Sequence, residues 1–307
     1  MANVDAFLGD HSTRYFGDGH KRSNYAVFTK NDESTYGRIT QTGIWSNKSD
    51  KEVQPHLSTL DGVILASMLT ERLMEKQIST IENYYLSKFD IKSGMKPIEN
   101  LNEIPMQLKQ FEVGPGVIKS EVLVLDMKVK IEFSEIEAEI ASDNKNGERT
   151  KEFIANHLKE VYHDIYDISL LDTLDSADKC IIFCKANRNV ALNNEFKGLS
   201  SNLTSNYSLL ELLIIFSQMA EIVVYHADNI DRECSETLWM KSVQAELRSP
   251  IPAQEVYLLG KITKNRLLDI KGQHWKIFEM SGTDINNQVT ISSKVAHQLP
   301  VQEASNA

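Results

Sequence analysis

Cysteine is scarce in this chain of 307 residues: Cys180, Cys184 and Cys234 are its three, with no CxxC pair. That excludes a disulfide framework and the usual zinc-ribbon spacing. Cys180 and Cys184 flank Ile181, Ile182 and Phe183, an apolar run in which cysteine acts as a small hydrophobe. Seven prolines and 14 glycines are too few for a collagen-like or low-complexity chain. Excess positive charge is also missing. A net charge of −10 gives no phosphate-tracking face, so duplex nucleic acid is not an expected partner. A local basic pocket for a small phosphorylated substrate remains compatible with that balance. No apolar run is long enough to cross a bilayer, since the longest, Leu209 to Phe216, is interrupted by Glu211. The N-terminus lacks the basic and apolar regions of a signal peptide, and a soluble cytoplasmic protein is expected. HExxH, Walker A, Rossmann and GxSxG patterns are absent. His157, His163 and Asp164 cluster loosely, but a spacing of six does not place both histidines on one helical face, and no metal or cofactor is expected.

What is present is ordinary globular material, 41% apolar and 25% charged, enough for one large domain or two of about 150 residues. Residues 1–25 are polar and glycine-punctuated and read as an irregular arm. Tyr36 to Ser46 reads as a strand and residues 50–57 as a loop. From Thr59 to about Gln77, Leu60, Val63, Ile64, Met68, Leu69 and Leu73 recur at helical spacing, with Ser58 or Thr59 as N-cap. Strands follow at 86–91, 106–112 and 117–136. A turn-rich segment at 143–148 marks a domain boundary. In the second half, 151–175 reads as a short helix or irregular connector, 179–185 as a strand and 186–206 as a polar loop. A second helix spans 207–229. Strands at 236–247, 256–263, 266–270, 275–280 and 289–297 precede a frayed tail from Pro300.

The second helix is apolar on nearly every face, and such a helix must be buried on every face. A sheet curled around it does this economically. The first helix is less uniformly apolar. Strand, helix and several strands, occurring twice at an interval near 150 residues, predict an α+β double hot-dog fold. In it two long central helices are each wrapped by an antiparallel sheet, in domains 1–148 and 149–307.

Four segments carry a family resemblance: Val4-Asp-Ala-Phe-Leu-Gly9, Arg14-Tyr-Phe-Gly-Asp-Gly-His-Lys-Arg22, Leu60-Asp-Gly-Val63 and Asp231-Arg-Glu-Cys-Ser-Glu-Thr-Leu-Trp-Met-Lys241. Together they resemble the avirulence D (AvrD) family of bacterial proteins. The resemblance implies synthesis of syringolide-type elicitors, in which a β-ketoacyl chain is joined to a ketose such as xylulose. It also implies kinship with the A-factor and butenolide synthases, paired hot-dog proteins that transfer a β-ketoacyl group to a ketose phosphate. The acyl group would arrive as a thioester of CoA or of an acyl-carrier protein. A homodimer is compatible with this picture.

Hot-dog enzymes hold a thioester near the N-terminus of the central helix, whose unpaired N–H groups polarise the acyl carbonyl. At the first helix this points to His56, Asp61 and Glu71 as catalytic candidates and to Gly62 for close backbone approach. The order resembles the His…Gly-Val…acid arrangement of hot-dog dehydratases, but Ser67 stands where their acid does and Glu71 where their Gln does. At the second helix Glu211 is a further catalytic candidate and Gln218 a substrate ligand, with Ile214 at the usual acid position. Ordinary dehydration is therefore disfavoured against acyl transfer or condensation. A non-catalytic acyl-binding or partner-binding protein is the alternative. Gly17, Asp18, Gly19, His20, Lys21 and Arg22 form an arm suited to closing over a pocket and holding phosphate or sugar hydroxyls. Arg232 is a substrate ligand or a helix-end salt bridge. The first helix is the expected place for chemistry, and the second is expected to be chiefly core.

Overall fold

The computed structural model describes residues 2–31, 33–48, 51–94, 96–136, 149–173, 176–189, 192, 195–235, 238–270 and 272–300. Among the described residues there are four α-helices: α1 (Asp5–Leu8), α2 (Thr59–Met74), α3 (Phe153–Glu160) and α4 (Leu209–Asp228). Six long strands come from the first half: β1 (Ser23–Thr29), β2 (Thr35–Gln41), β3 (Tyr84–Lys92), β4 (Ile104–Gly114), β5 (Val117–Val124) and β6 (Met127–Glu135). Six come from the second: β7 (His163–Thr173), β8 (Ser176–Arg188), β9 (Leu238–Leu247), β10 (Val256–Ile270), β11 (Gln273–Asp284) and β12 (Val289–Gln298).

All twelve join one antiparallel sheet in the order β1-β2-β4-β5-β6-β3-β9-β12-β11-β10-β8-β7. Numbering each half from its own start, the first reads 1-2-4-5-6-3 and the second reads the same order backwards. In both halves the long helix lies between the second and third strands. The two halves meet where β3 pairs β9, with Phe89 opposite Ala245. A hot-dog arrangement of few helices and a large antiparallel sheet is thus present.

Each long helix packs on its own half of the sheet, α2 on β3, β5 and β6, and α4 on β8, β9 and β10. Every residue of α4 from Leu209 to Met219 is buried. Helix α2, despite Asp61, Ser67, Thr70 and Glu71, is buried from Thr59 through Glu71 as well. Both helices are thus buried although α2 is the less uniformly apolar; its Asp61, Thr70 and Glu71 side chains are hydrogen-bonded, whereas Ser67 Oγ has no partner among the described residues. Thr70 Oγ1 donates to Ala66 O at 2.9 Å and meets Ser120 Oγ at 2.6 Å.

Two strands were not foreseen. Ser23–Thr29 begins in the last residues of the stretch 1–25 read as an irregular arm and runs on past it, forming β1 at the sheet edge. His163–Thr173, expected as connector, forms β7 after the short helix α3. Its alternation is broken by a bulge between Tyr166 and Ser169, with Asp167 at φ 52, so no single period-two pattern runs through it. A bulge between Ile262 and Lys264 likewise lets β10 run on where two strands were expected. The boundary at 148/149 and the tail after Pro300 lie outside the described residues. Among the described residues one helix, Leu209–Asp228, is long and apolar enough to cross a membrane, but 83% of its apolar stretch of 18 residues is buried inside the protein.

Candidate active site

The two long helices begin with the same device. Ser58 and Ser208 are N-caps whose hydroxyls accept from Asp61 N and Glu211 N at 3.1 Å each, and the acid returns a bond to the serine N–H. These are capping boxes 150 residues apart, and they satisfy amides that a helix start otherwise leaves unpaired. This offset aligns Asp61 with Glu211, Ser67 with Ser217 and Glu71 with Glu221.

The environments of the paired acids differ. Asp61 accepts from the Tyr25 hydroxyl at 2.7 Å, the Ser58 hydroxyl at 2.7 Å and the Tyr15 hydroxyl at 3.2 Å. Burial pushes its carboxyl above the usual range, and these hydroxyls only partly counter the shift. Glu211 is fully buried, and burial alone would raise it too. There His163 Nε2 lies 3.1 Å from Glu211 Oε1 and Arg188 Nε lies 3.3 Å from the same oxygen. The His163 hydrogen bond and the nearby Arg188 charge outweigh burial and hold Glu211 at about 2. Arg188 is itself clamped by Thr204 O at 2.7 Å and Asn206 O at 2.5 Å. Beside them His157 Nε2 meets Ser208 Oγ at 2.8 Å, and burial lowers its imidazole to about 4.

His163 faces a cavity of about 650 Å³. Its wall comes from the N-terminal arm, the start of β7, the end of β8 and one residue of α4, Gln218. His20, Lys21 and Gly17 line it, with Arg14 and His11 beside them. Arg14, only 2% exposed, donates Nη1 to Gln218 Oε1 at 2.8 Å and pairs with Asp5 through Nη2. His20 is held by Tyr15 O at 2.9 Å, and burial drives its imidazole down to about 3. Lys21 lies over the Tyr162 ring and pairs with Asp18 at 3.0 Å. An anionic carboxylate behind an imidazole that borders a cavity can orient the ring, so that His163 Nδ1 is available as a general base. Among the described residues nothing hydrogen-bonds to that Nδ1.

The remaining sequence candidates scatter. His56 packs against Trp45, with ring centroids 4.5 Å apart and the planes tilted by 52°, and its Nδ1 meets Gln54 O at 3.0 Å. Gly62 faces the sheet, where a Cβ would come within 2.8 Å of Ile91 Cδ1, so close packing accounts for it. Gly17 and Gly19 are also packing glycines: a Cβ would meet His11 O at 2.1 Å or Trp45 O at 1.9 Å. The arm is thus a compact wall. Arg22 donates to Ile44 O at 2.6 Å. Arg232 is 5% exposed, donates to Asn47 O at 2.8 Å and pairs with Glu233 at 2.7 Å, tying loops together. Glu71 lies in the last turns of α2 and accepts from Leu199 N at 2.7 Å. Ten residues from Asp61, it sits about 15 Å further along the helix axis.

Burial raises Glu71 to about 7. A carboxyl that binds its proton more tightly when folded contributes stability below its unfolded value, near 4.5, and that contribution is lost as pH rises through 7. Glu71→Gln keeps an acceptor for Leu199 N without the charge. In urea titrations it should match the parent at pH 4 and exceed it by about 1–3 kcal/mol at pH 8. Equal stability at pH 8 would show that Glu71 is not desolvated.

The model of the Pseudomonas avirulence D protein (AvrD) family matches residues 1–300. The chain belongs to the avirulence D family. No match is found among curated proteins. Solved structures of similar outline include an acyl-CoA thioesterase II, TesB2, from Mycobacterium marinum, 9% identical over 91% of this chain and 98% of that one, with TM-score 0.43. A hot-dog-fold protein from Alicyclobacillus acidocaldarius is 8% identical over 93% and 98%, with TM-score 0.44. A TesB protein of Mycobacterium avium subspecies paratuberculosis is 6% identical over 89% and 95%, also at 0.44.

In this avirulence D family member, two of the four resembling segments, Val4 to Gly9 and Arg14 to Arg22, contribute to the cavity wall. Leu60 to Val63 opens α2, and Asp231 to Lys241 leads from α4 into β9. Sequence reasoning missed His163 and Arg188 as partners of Glu211, and Arg14 as the partner of Gln218. A buried acid in an apolar helix demands a cation, and that demand was the available signal.

Proposed function

We propose that this avirulence D family member is an acyl-transfer enzyme that joins a β-ketoacyl thioester to a ketose or ketose phosphate, with the Glu211–His163 pair as its base. The proposal includes a double hot-dog reading of the two halves, 1–148 and 149–307. The observation that carries it is a fully buried carboxylate beside the Arg188 guanidinium and hydrogen-bonded to an imidazole that borders a cavity of about 650 Å³. His163 takes the proton of a ketose hydroxyl as that oxygen attacks the thioester carbonyl. The C–O bond forms, the C–S bond breaks, and the proton passes to the departing thiolate. Arg14, Gln218, His20 and Lys21 supply polar contacts for the sugar or a phosphate on it. The same base can then take a proton from the carbon between the two carbonyls of the transferred chain. That carbon forms a C–C bond to the ketose carbonyl carbon as the C=O π bond breaks, and the resulting alkoxide takes the proton back from the imidazole to leave a hydroxyl.

Incubation with a β-ketoacyl thioester and candidate ketoses tests this reading through release of free thiol. Thiol should appear only when both substrates are present. Release without sugar would replace transfer by hydrolysis, and no release under any pairing would leave an acyl-binding protein. His56→Ala should retain the rate of the parent, because His56 rests on Trp45 and is not part of the His163 cavity wall. A collapse of the rate in His56→Ala would return the chemistry to the start of α2.

A further inference from the structure

We propose that Asp172, Cys180 and His226 form a binding site for a divalent zinc-class metal ion, separate from the cavity at His163. Asp172 on β7 and Cys180 on β8 are direct cross-strand partners. His226 reaches them from the last turn of α4, with its Nε2 3.0 Å from Asp172 Oδ1. One donor atom from each residue lies within 4.8 Å of the other two. The edges of a tetrahedron around zinc are about 3.3–3.8 Å, from metal–ligand lengths near 2.0–2.3 Å, so small side-chain rotations close the set.

The donor chemistry narrows the ion. Thiolate, imidazole and carboxylate together suit zinc and its cobalt surrogate, whereas magnesium and calcium favour all-oxygen shells. Cys180 is buried, while the side chains of His226 and Asp172 are 39% and 59% exposed. The site is therefore closed on the core side and open to water, which can supply the fourth ligand. Two further features favour a cation here. The carbonyl end of α4 carries the negative pole of the helix dipole. The same helix end is also fixed in place: Asp228, two residues on, is held by His297 Nδ1 at 2.5 Å and by Lys276 Nζ at 2.6 Å. A bound ion would pin the β7–β8 hairpin to α4, at the opposite end of that helix from Glu211.

The test uses the full chain stripped with chelator and titrated with cobalt(II), then zinc. Cobalt should bind with one equivalent per chain and give a thiolate-to-metal charge-transfer band with intense tetrahedral visible bands. Zinc should displace it. Cys180→Ser should abolish the charge-transfer band, and His226→Ala and Asp172→Asn should each weaken binding by about a hundredfold or more. Cys234→Ser should leave the spectrum unchanged. Absence of the band in the parent chain, its survival in Cys180→Ser or its loss in Cys234→Ser would overturn the site. Should Cys180→Ser fail to fold, the two exposed-ligand variants decide: undiminished affinity in both overturns the proposal.

Discussion

His163→Gln should lower the turnover of acyl transfer by about 10²–10⁴-fold while the protein stays folded, the loss expected when a general base is removed. Glutamine places an amide N–H near the position of the imidazole Nε2–H, so Glu211 keeps its hydrogen-bond donor and the buried carboxylate is not stranded. The side chain cannot accept a proton from a substrate hydroxyl, and only the chemical step should suffer. KM for the thioester should therefore change little. The cavity of about 650 Å³ also allows a complementary experiment. In His163→Ala, added imidazole can occupy the vacated volume beside Glu211 and restore part of the rate. A His163→Gln enzyme with parental turnover, or a His163→Ala enzyme indifferent to imidazole, would remove His163 from the reaction.

Why the sequence put the first place for chemistry at the start of α2, while the proposed base lies beside Glu211 of α4, follows from which signals are local. Both helices, their serine caps and their N3 acids are legible, because a capping box is a four-residue pattern. The repeated strand–helix–strand order is also legible, since most strands alternate in the usual way. The partners of the acids are not local. Tyr15 and Tyr25 reach Asp61 from 46 and 36 residues away, and His163 reaches Glu211 from 48. No periodicity encodes those meetings, and His163 lies at the start of a strand whose pattern is disrupted by the bulge at Asp167. His56, next to the cap in sequence, turns instead to Trp45. The arm Gly17 to Arg22 was found through its composition, but its glycines serve close backbone contacts that only the fold reveals. The core needed only hydrophobic pattern; the site needed long-range pairing.

Those long-range partners also make the two equivalent acids respond oppositely to acid and to substitution. Glu211 is held at about 2 against an ordinary 4.5. A carboxyl depressed on folding contributes stability that is present above its unfolded value and lost as pH falls through the folded one. The window is thus about pH 4.5 down to 2, and the shift corresponds to about 3 kcal/mol. Glu211→Ala removes the reciprocal bond to Ser208 N and leaves the Arg188 guanidinium buried without its carboxylate, facing only the neutral carbonyls of Thr204 and Asn206. It should cost about 3–5 kcal/mol at pH 7, the scale for breaking a buried pair from one side. That cost should shrink as pH approaches 2, because the parent loses the same interaction there. Asp61→Asn is the control from the other half. Asp61 faces hydroxyls and, among the described residues, no cation, and burial raises its carboxyl, so its ionised form adds nothing to stability as pH rises. The amide keeps one oxygen for the Tyr15 and Tyr25 hydroxyls, while its NH2 replaces the oxygen that accepts from Ser58 N, and its cost at pH 7 should be about 1–2 kcal/mol. Urea titrations of both variants between pH 2.5 and 7 separate the cases. A Glu211→Ala penalty that does not change with pH would mean the carboxylate is not ionised against His163 and Arg188.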